Sequence, residues 1–419
     1  MQVLKEKPEA RILLTSQANP AVDNALSRIR DLSERHNVQL RTLRLTRAQL
    51  RHGTNEFEDF FSTWIEETRE ASQKGLTEVL ETLEPSQRDK VSNAIENWQE
   101  KLSWADDVRK DYAQSVQVYG VTCLRAPTLW ELLRKVEFDW VIVDEAAKAT
   151  DIEVLVPLVH GKRFFMVGDQ RQLPPYIDTE IEREMRYQGI NSEETRSSLF
   201  EKTFDLLPPS NKATLRRQYR MHRSIGDFVG RLFYADIGGL ETGVSDEERQ
   251  LDIDYLKDYE HRVLWFDVAS GEEEQPRGGT SFYNRSEANK INRILEMFNE
   301  NLTRKETQYT VGVITPYNAQ VDVLSESLVP TSKTWTNPKI EVSTVDAFQG
   351  RENDLTIYSM VRTKPGGLRF VEDEKRLNVS FSRAKRALLI FGHRETALTS
   401  QTFSKALRLI PDKNVVTGG

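Results

Sequence analysis

Phe138-Asp-Trp-Val-Ile-Val-Asp144-Glu145-Ala-Ala147 is a short apolar run that stops on two adjacent carboxylates. A run of this length, apolar on both faces, reads as a buried strand of a parallel sheet. Four more runs end in the same abrupt way. Ile12–Leu14 precedes Thr15-Ser16-Gln17, and Phe164–Val167 precedes Gly168-Asp169-Gln170. Val311–Ile314 precedes Thr315-Pro316-Tyr317, and Leu388–Phe391 closes on Gly392. Amphipathic helical segments separate many of them, which predicts an α/β fold. Ligands of open parallel sheets collect at the carboxyl ends of strands. Most of these polar groups belong there.

The chain has 419 residues, too many for one ordinary core, so two domains with insertions are expected. No apolar run approaches the roughly 20 residues that cross a bilayer. The opening MQVLKEKPEA has no apolar signal core, so a soluble, cytoplasmic protein is expected. The single cysteine, Cys123, excludes disulfides within the chain and cysteine-rich zinc sites. A formal net charge of −7 gives no global attraction to nucleic acid. A polyanion must therefore be held by a local groove of Lys, Arg and backbone N–H groups.

Residues of roughly 27–114 break the strand–helix rhythm. They are highly charged, with Phe57, Phe60, Phe61 and Trp64, then Val91, Ile95, Trp98 and Leu102, at helical spacing around Pro85. This predicts a helical hairpin inserted in the first domain, the aromatic stripe being its core and Pro85 opening its second helix. Leu207-Pro208-Pro209-Ser210 is the expected domain boundary, giving domains of 1–207 and 208–419. Thr242–Thr280 reads as a loop-rich entry to the second domain, with one apolar run at Val263–Phe266.

Reactions of a magnesium nucleotide need one carboxylate for the metal and another to orient or deprotonate the attacking water. Asp144 and Glu145 suit that work, although such a pair alone would equally suit a helix N-terminus. Further blocks accompany it: Phe165-Met-Val-Gly168-Asp169-Gln170-Arg171-Gln172-Leu173-Pro174-Pro175, and Gln218-Tyr219-Arg220-Met221-His222. Val345-Asp346-Ala347-Phe348-Gln349-Gly350-Arg351-Glu352 and Arg376-Leu377-Asn378-Val379-Ser380-Phe381-Ser382-Arg383-Ala384-Lys385 follow. In this order they resemble the motifs of superfamily 1 helicases, in the branch that includes the RNA helicase of nonsense-mediated decay. The stretch Ile12–Asn24, ILLTSQANPAVDN, resembles that branch's first nucleic-acid-contacting motif. The resemblance runs from about residue 11 to residue 395.

The resemblance implies two RecA-like domains of the P-loop NTPase type, using ATP and Mg2+ to move on single-stranded DNA or RNA; a monomer is expected. It implies that Asp144 holds magnesium, Glu145 is the general base, and Gln172 senses the γ-phosphate. Arg220 and Arg383 would neutralise charge in phosphoryl transfer, and Glu352 would touch the nucleotide. Arginine suits this because its fixed fork of donors stays charged at any pH. Ser16, Gln17 and Asn19, with Thr315, Pro316 and Tyr317, would contact nucleic acid. Such strand-end groups position a backbone without reading its sequence. Tyr317 reads equally as a base-stacking ring or a half-buried core tyrosine. Tyr219 and His222 read as local packing and capping residues, and Arg351 and Lys385 as solvated cations.

Two features depart from the family pattern. The phosphate-binding G-x-x-x-x-G-K-[ST] is absent, because Gly161-Lys162 is followed by Arg163 and precedes a strand. MQVLKEKPEA reads as the tail of the helix that follows that loop, so a fragment without turnover of its own is expected. Lys148 stands where relatives carry glutamine. The reading from another class is a non-catalytic nucleic-acid-binding or scaffold protein that keeps the fold.

Overall fold

A computed structural model describes residues 1–38, 40–45, 91–93, 97, 116–191, 196–259, 261–302, 306–332, 335, 337–348 and 350–417. The chain divides into two compact units. One comprises Met1–Gln170 and Pro174–Asp205, the other Arg171–Leu173 and Leu206–Gly419. No described helix is long and apolar enough to cross a membrane.

The first unit is built on a parallel sheet. Its strands are β1 (Ile12–Ser16), β2 (Thr42–Arg44), β3 (Val118–Thr122), β4 (Phe138–Asp144) and β5 (Gly161–Met166), in the order β2-β3-β1-β4-β5. The register puts Ser16 beside Thr122 on one side and Asp144 on the other. One face packs Ile12, Leu14 and Val118 under Val22 and Leu26 of the helix Asn19–Arg35. The opposite face packs Leu13, Tyr119, Val121, Phe138, Val141 and Val143. This alternation follows from the two-residue period of a strand. A Cβ on Gly120 would lie 2.6 Å from Leu26 Cδ1, so glycine there lets the helix seat on the sheet.

Two expectations change in this unit. Residues 27–35 complete the helix Asn19–Arg35 and β2 belongs to the sheet, so these residues are not part of the insertion expected at about 27–114. The hairpin's Phe57, Phe60, Phe61, Trp64, Pro85, Ile95, Trp98 and Leu102 lie outside the described residues. The Phe164–Val167 run does form a strand beside β4, but not a buried one. Phe164 is 49% and Phe165 57% exposed, because β5 is the sheet's edge among the described residues.

The second unit carries a six-stranded parallel sheet in the order β12-β11-β13-β14-β8-β15. These strands are β8 (Val263–Asp267), β11 (Thr310–Thr315), β12 (Lys339–Thr344), β13 (Asn353–Ser359), β14 (Ala384–Gly392) and β15 (Val415–Val416). The short pairs β6 (Arg217–Gln218) with β7 (Glu241–Thr242), and β9 (Glu273–Glu274) with β10 (Tyr283–Asn284), lie outside it. Helices Arg223–Phe233, Glu374–Phe381 and Gln401–Leu409 cover the face that carries Trp265, Ile314, Tyr358 and Ile390. Helices Arg285–Leu302 and Asn318–Ser332 cover the face that carries Leu264, Phe266, Val313, Ile357 and Phe391. The Val263–Phe266 run is thus an inner strand rather than part of a loop. Trp265 is fully buried and its indole N–H donates to the Gly392 carbonyl at 3.1 Å, while Phe266 stacks on Phe391 at 4.6 Å. Polar tips of buried aromatics require such partners.

Cys123 lies just past β3, buried, with its thiol 3.3 Å from Thr15 Oγ1. Burial pushes the thiol up to about 11, against the opposing hydrogen bond from Thr15. A buried, protonated thiol is unreactive. In native protein near pH 8, Cys123 is therefore expected to resist a chromogenic disulfide reagent. It should react fully once denaturant opens the first unit. Prompt labelling of the native protein would contradict this packing.

Candidate functional site

Parallel strands bring their carboxyl ends to one edge, and in the first unit this gathers the acidic pair. Asp144 is the last residue of β4, half-buried, and its Oδ1 accepts the Glu145 N–H at 3.1 Å. Burial raises the Asp144 carboxyl above its usual value, and the Glu145 N–H opposes the rise. Glu145 has φ 55°, a left-handed conformation that strains a non-glycine residue by about 1–3 kcal/mol. The surroundings impose it. Val167 N–H donates to the Val143 carbonyl at 2.8 Å and Ala146 N–H to the Val167 carbonyl at 2.8 Å, so the chain is pinned on both sides of Glu145. A Cβ on Gly168 would lie 2.8 Å from Ala147 N, so glycine lets the two strand-end turns meet. Lys148 closes the turn, its N–H donating to the Glu145 carbonyl at 3.1 Å.

Ser16 ends β1 level with Asp144, and its buried hydroxyl has no hydrogen-bond partner among the described residues. Gln17 is half-buried beyond it. Asn19 is exposed, but its Oδ1 accepts from Arg44 Nη2 at 2.6 Å. Arg44 is fully buried and also donates to Asp23 at 2.6 Å. Asn19 thus helps hold Arg44 in the fold.

The second unit gathers most of the remaining polar residues. Arg171 is clasped by both carboxylate oxygens of Asp236, and Asn378 Nδ2 donates to the Arg171 carbonyl at 2.9 Å. The guanidinium holds the Asp236 carboxyl down to about 2. Leu173 enters the core. Gln172 between them accepts from Arg383 Nη2 at 3.3 Å. Arg383 is only 3% exposed, and it also donates to the carbonyls of Val379 at 2.9 Å and Arg351 at 3.2 Å.

Arg220 is more open. Its Nε donates to Glu352 Oε2 at 2.8 Å and its Nη1 to the Ser382 carbonyl at 3.2 Å. Lys385 approaches Glu352 Oε1 at 2.7 Å. Burial alone would raise the Glu352 carboxyl, but Lys385 and Arg220 outweigh it and hold the group below its usual value. Lys385 is therefore part of the cluster, not a solvated cation. Gln218, also unassigned from sequence, accepts the N–H groups of Arg220 and Met221 at 2.9 and 2.7 Å and so fixes the turn that presents Arg220. His222 caps the helix Arg223–Phe233, accepting from Ser224 N–H at 3.2 Å. Tyr219 is exposed rather than packed, and Arg351 pairs with Glu341.

Thr315 ends β11, fully buried, with its hydroxyl unpartnered among the described residues, and Pro316 is buried after it. Tyr317 is 6% exposed, its ring 5.6 Å from those of both Phe282 and Phe370. Of its two readings, core tyrosine is the one this packing matches, because a ring so enclosed offers no face to a base. Phe370 beside it is exposed, with Arg376 over it at 4.5 Å. No sequence pattern singled it out. Beneath this edge lies Glu287, fully buried and pushed up to about 8 by that burial. It accepts from the Ser359 hydroxyl and from Val361 N–H at 3.1 Å, holding Val361 at φ 70°.

Comparison with known proteins adds the family. Two profiles, each described as an AAA domain, match residues 50–180 and 195–395. The regulator of nonsense transcripts 1 homolog of Neurospora crassa is 29% identical over 421 residues, covering 99% of this chain and 36% of the relative. Its Drosophila melanogaster counterpart is 34% identical over 292 residues, covering 68% of this chain and 23% of the relative. An uncharacterized ATP-dependent helicase of Methanocaldococcus jannaschii is 32% identical over 287 residues, covering 66% and 39%. This chain belongs to the superfamily 1 helicase family, in the nonsense-mediated-decay branch. It spans less than two thirds of the length of these relatives.

In a helicase of this branch the β4 end suits a divalent cation. Asp144 is a carboxylate disfavoured by burial, with an unpartnered hydroxyl level with it on β1, and a cation would relieve both. Because the folded-state value is raised, the wild-type protein loses stability as pH rises from the unfolded carboxyl's value through the folded one. Asp144→Asn is therefore expected to match the wild type at low pH and to melt higher above that window, without added magnesium. A melting temperature below wild type at pH 7 would show that the ionised carboxylate stabilises the fold.

Proposed function

We propose that this chain is the motor core of an ATP-dependent helicase, coupling ATP hydrolysis to movement on single-stranded DNA or RNA. The observation that carries this reading is the polar cluster of Gln172, Arg220, Glu352, Arg383 and Lys385 in the second unit. It supplies a carboxamide and fixed cations of the kind that phosphoryl transfer uses. Asp144 would hold magnesium, which supplies charge neutralisation at the phosphates. Glu145 would take the proton of the attacking water. Gln172 would read the γ-phosphate. Arg220, less enclosed than Arg383, is the arginine more open to an incoming phosphate. Arg383 holds Gln172 and the two backbone carbonyls in place. Ser16, Gln17 and Asn19, with Thr315 and Pro316, would meet the nucleic-acid backbone through strand-end groups, and Tyr317 through its backbone.

The 419 residues contain no G-x-x-x-x-G-K-[ST], so the phosphates lack their cradle of N–H groups and its lysine. The second reading is a non-catalytic nucleic-acid-binding or scaffold protein that keeps the fold. Losing one preorganised donor lowers rates by about 10²–10³. The chain as given is therefore expected to show no strand-stimulated ATP turnover, and turnover at rates ordinary for helicases would overturn this.

Fusing a loop-bearing strand and helix ahead of Met1 should restore hydrolysis, and failure to do so in a folded fusion supports the second reading. In that fusion Glu145→Gln should retain ATP and the bound strand while hydrolysis stops. Arg220→Ala should lose turnover by about 10²–10³ with little change in melting temperature. Arg383→Ala should lose turnover and about 1–3 kcal/mol of stability, because it strands buried acceptors. Near-normal hydrolysis in folded Glu145→Gln would remove Glu145 as the base.

A further inference from the structure

A second concentration of charge lies in the same unit, beside the cluster that holds Lys385, whose carbonyl accepts the His222 N–H at 2.7 Å. A cleft of about 480 Å³ is lined by His222, Arg223, Asp227, Arg231, His261 and Lys413, with Phe228, Leu409 and Pro411 also on its walls. Helical spacing builds one side: Arg223, Asp227 and Arg231 recur every fourth residue along Arg223–Phe233 and so share a face. Lys413 lies opposite, in the turn after the helix Gln401–Leu409. Three permanent cations therefore face one lining carboxylate. Arg223 is partly neutralised by Asp246 at 3.3 Å. Arg231 and Lys413 have no hydrogen-bond or ion-pair partner among the described residues.

The two histidines point the same way. His261 Nδ1 accepts the Val263 N–H at 3.4 Å, so the neutral ring carries its proton on Nε2 and is a donor. Burial lowers its pKa, Asp227 opposes the fall, and Arg231 and Lys413 add to it. Burial lowers the pKa of His222 as well, and Asp246 opposes this, while Arg262, Arg223 and His261 lower it further. Arg262 Nε is itself buried without a hydrogen-bond partner among the described residues. Isolated surface lysines and arginines need no explanation. Here cations and imidazoles crowd around one cavity with too few carboxylates to neutralise them, an arrangement that repels itself and that an anion relieves. The volume falls in the range of small-molecule sites, and apolar walls under a polar rim are their usual construction.

We propose that this cleft binds a small phosphate-bearing ligand of nucleotide size, its phosphate held by Arg231, Lys413 and His261. The contacts are arginine and ammonium donors at the rim and the His261 Nε2–H within, with the rest of the ligand against Leu409 and Pro411. None of the proposed hydrolytic residues lines the cleft, so it can be tested whether or not the chain turns over ATP.

The test is titration of the chain with adenosine monophosphate, pyrophosphate and sodium sulfate at constant ionic strength, followed by calorimetry and by the imidazole resonances of His261. Adenosine monophosphate should shift the His261 signals with saturation. The double variant Arg231→Glu, Lys413→Glu should weaken that binding at least tenfold with an unchanged melting temperature, since both side chains are exposed and unpartnered. Arg220→Ala should leave it unchanged, which separates this site from the motor cluster. Pyrophosphate binding as tightly as the nucleotide would leave the phosphate site standing and remove the role of the apolar walls. Silent His261 resonances at 10 mM ligand (about the weakest useful affinity), equal binding by the double variant, or equal binding of sulfate would overturn the proposal.

Discussion

Both main sheets are parallel throughout, and that constraint gathers Ser16 and Asp144 at one edge of the first and Thr315 at the corresponding edge of the second. A parallel ladder forces each strand to run the same way, so strand ends with their exposed carbonyls and following turns accumulate at one edge. Ser16, Thr122 and Asp144 stand level across three strands of the first sheet for this reason. Thr315 and Thr344 stand level at the corresponding edge of the second. Crossover helices are then obligatory, and they bury both faces of the inner strands. Polar side chains gather at the ends, and one inside, Glu287, is held by hydrogen bonds.

Glu352, Arg383 and Lys385 gather at the opposite edge, the amino ends of β13 and β14, and the groups of that cluster are held from behind. Gln218 clamps the turn bearing Arg220, Arg383 is fixed by two backbone carbonyls, and Asn378 holds the backbone of Arg171. Catalytic groups of a phosphoryl-transfer site need this kind of support, because electrostatic stabilisation depends on donors that do not reorganise. The buried Glu287 serves the strand-end edge of β13 in the same way, through Ser359 and the strained Val361. Strain at Glu145 and Val361 persists because hydrogen bonds on and beside these residues over-determine the backbone.

The two arginines sit in different surroundings. Both follow from the motifs, and both were expected to neutralise transferred charge. Arg383 is enclosed and spends its donors on Val379, Arg351 and Gln172, whereas Arg220 meets one carboxylate at a partly open surface. A guanidinium already saturated by protein acceptors organises its neighbours. One sharing a carboxylate with Lys385 can exchange that partner for phosphate.

The sequence by itself determined the strand cores, the α/β class and the polar strand ends. Short apolar runs that stop on polar residues are a local signal that needs no knowledge of neighbours. It also determined which residues the helicase motifs select, from Asp144 and Glu145 to Arg383. Only the tertiary structure decided what depends on residues far apart in the chain. Tyr317 proved enclosed because Phe282 and Phe370 meet it, and Lys385 joined the site because Glu352 lies across from it. The Phe164 run reads as buried locally, yet its exposure depends on whether a neighbour pairs with β5, which periodicity cannot report. The cation-lined cleft was invisible for the same reason, because Arg231, His261 and Lys413 come from three separate segments that only the packed second unit brings together.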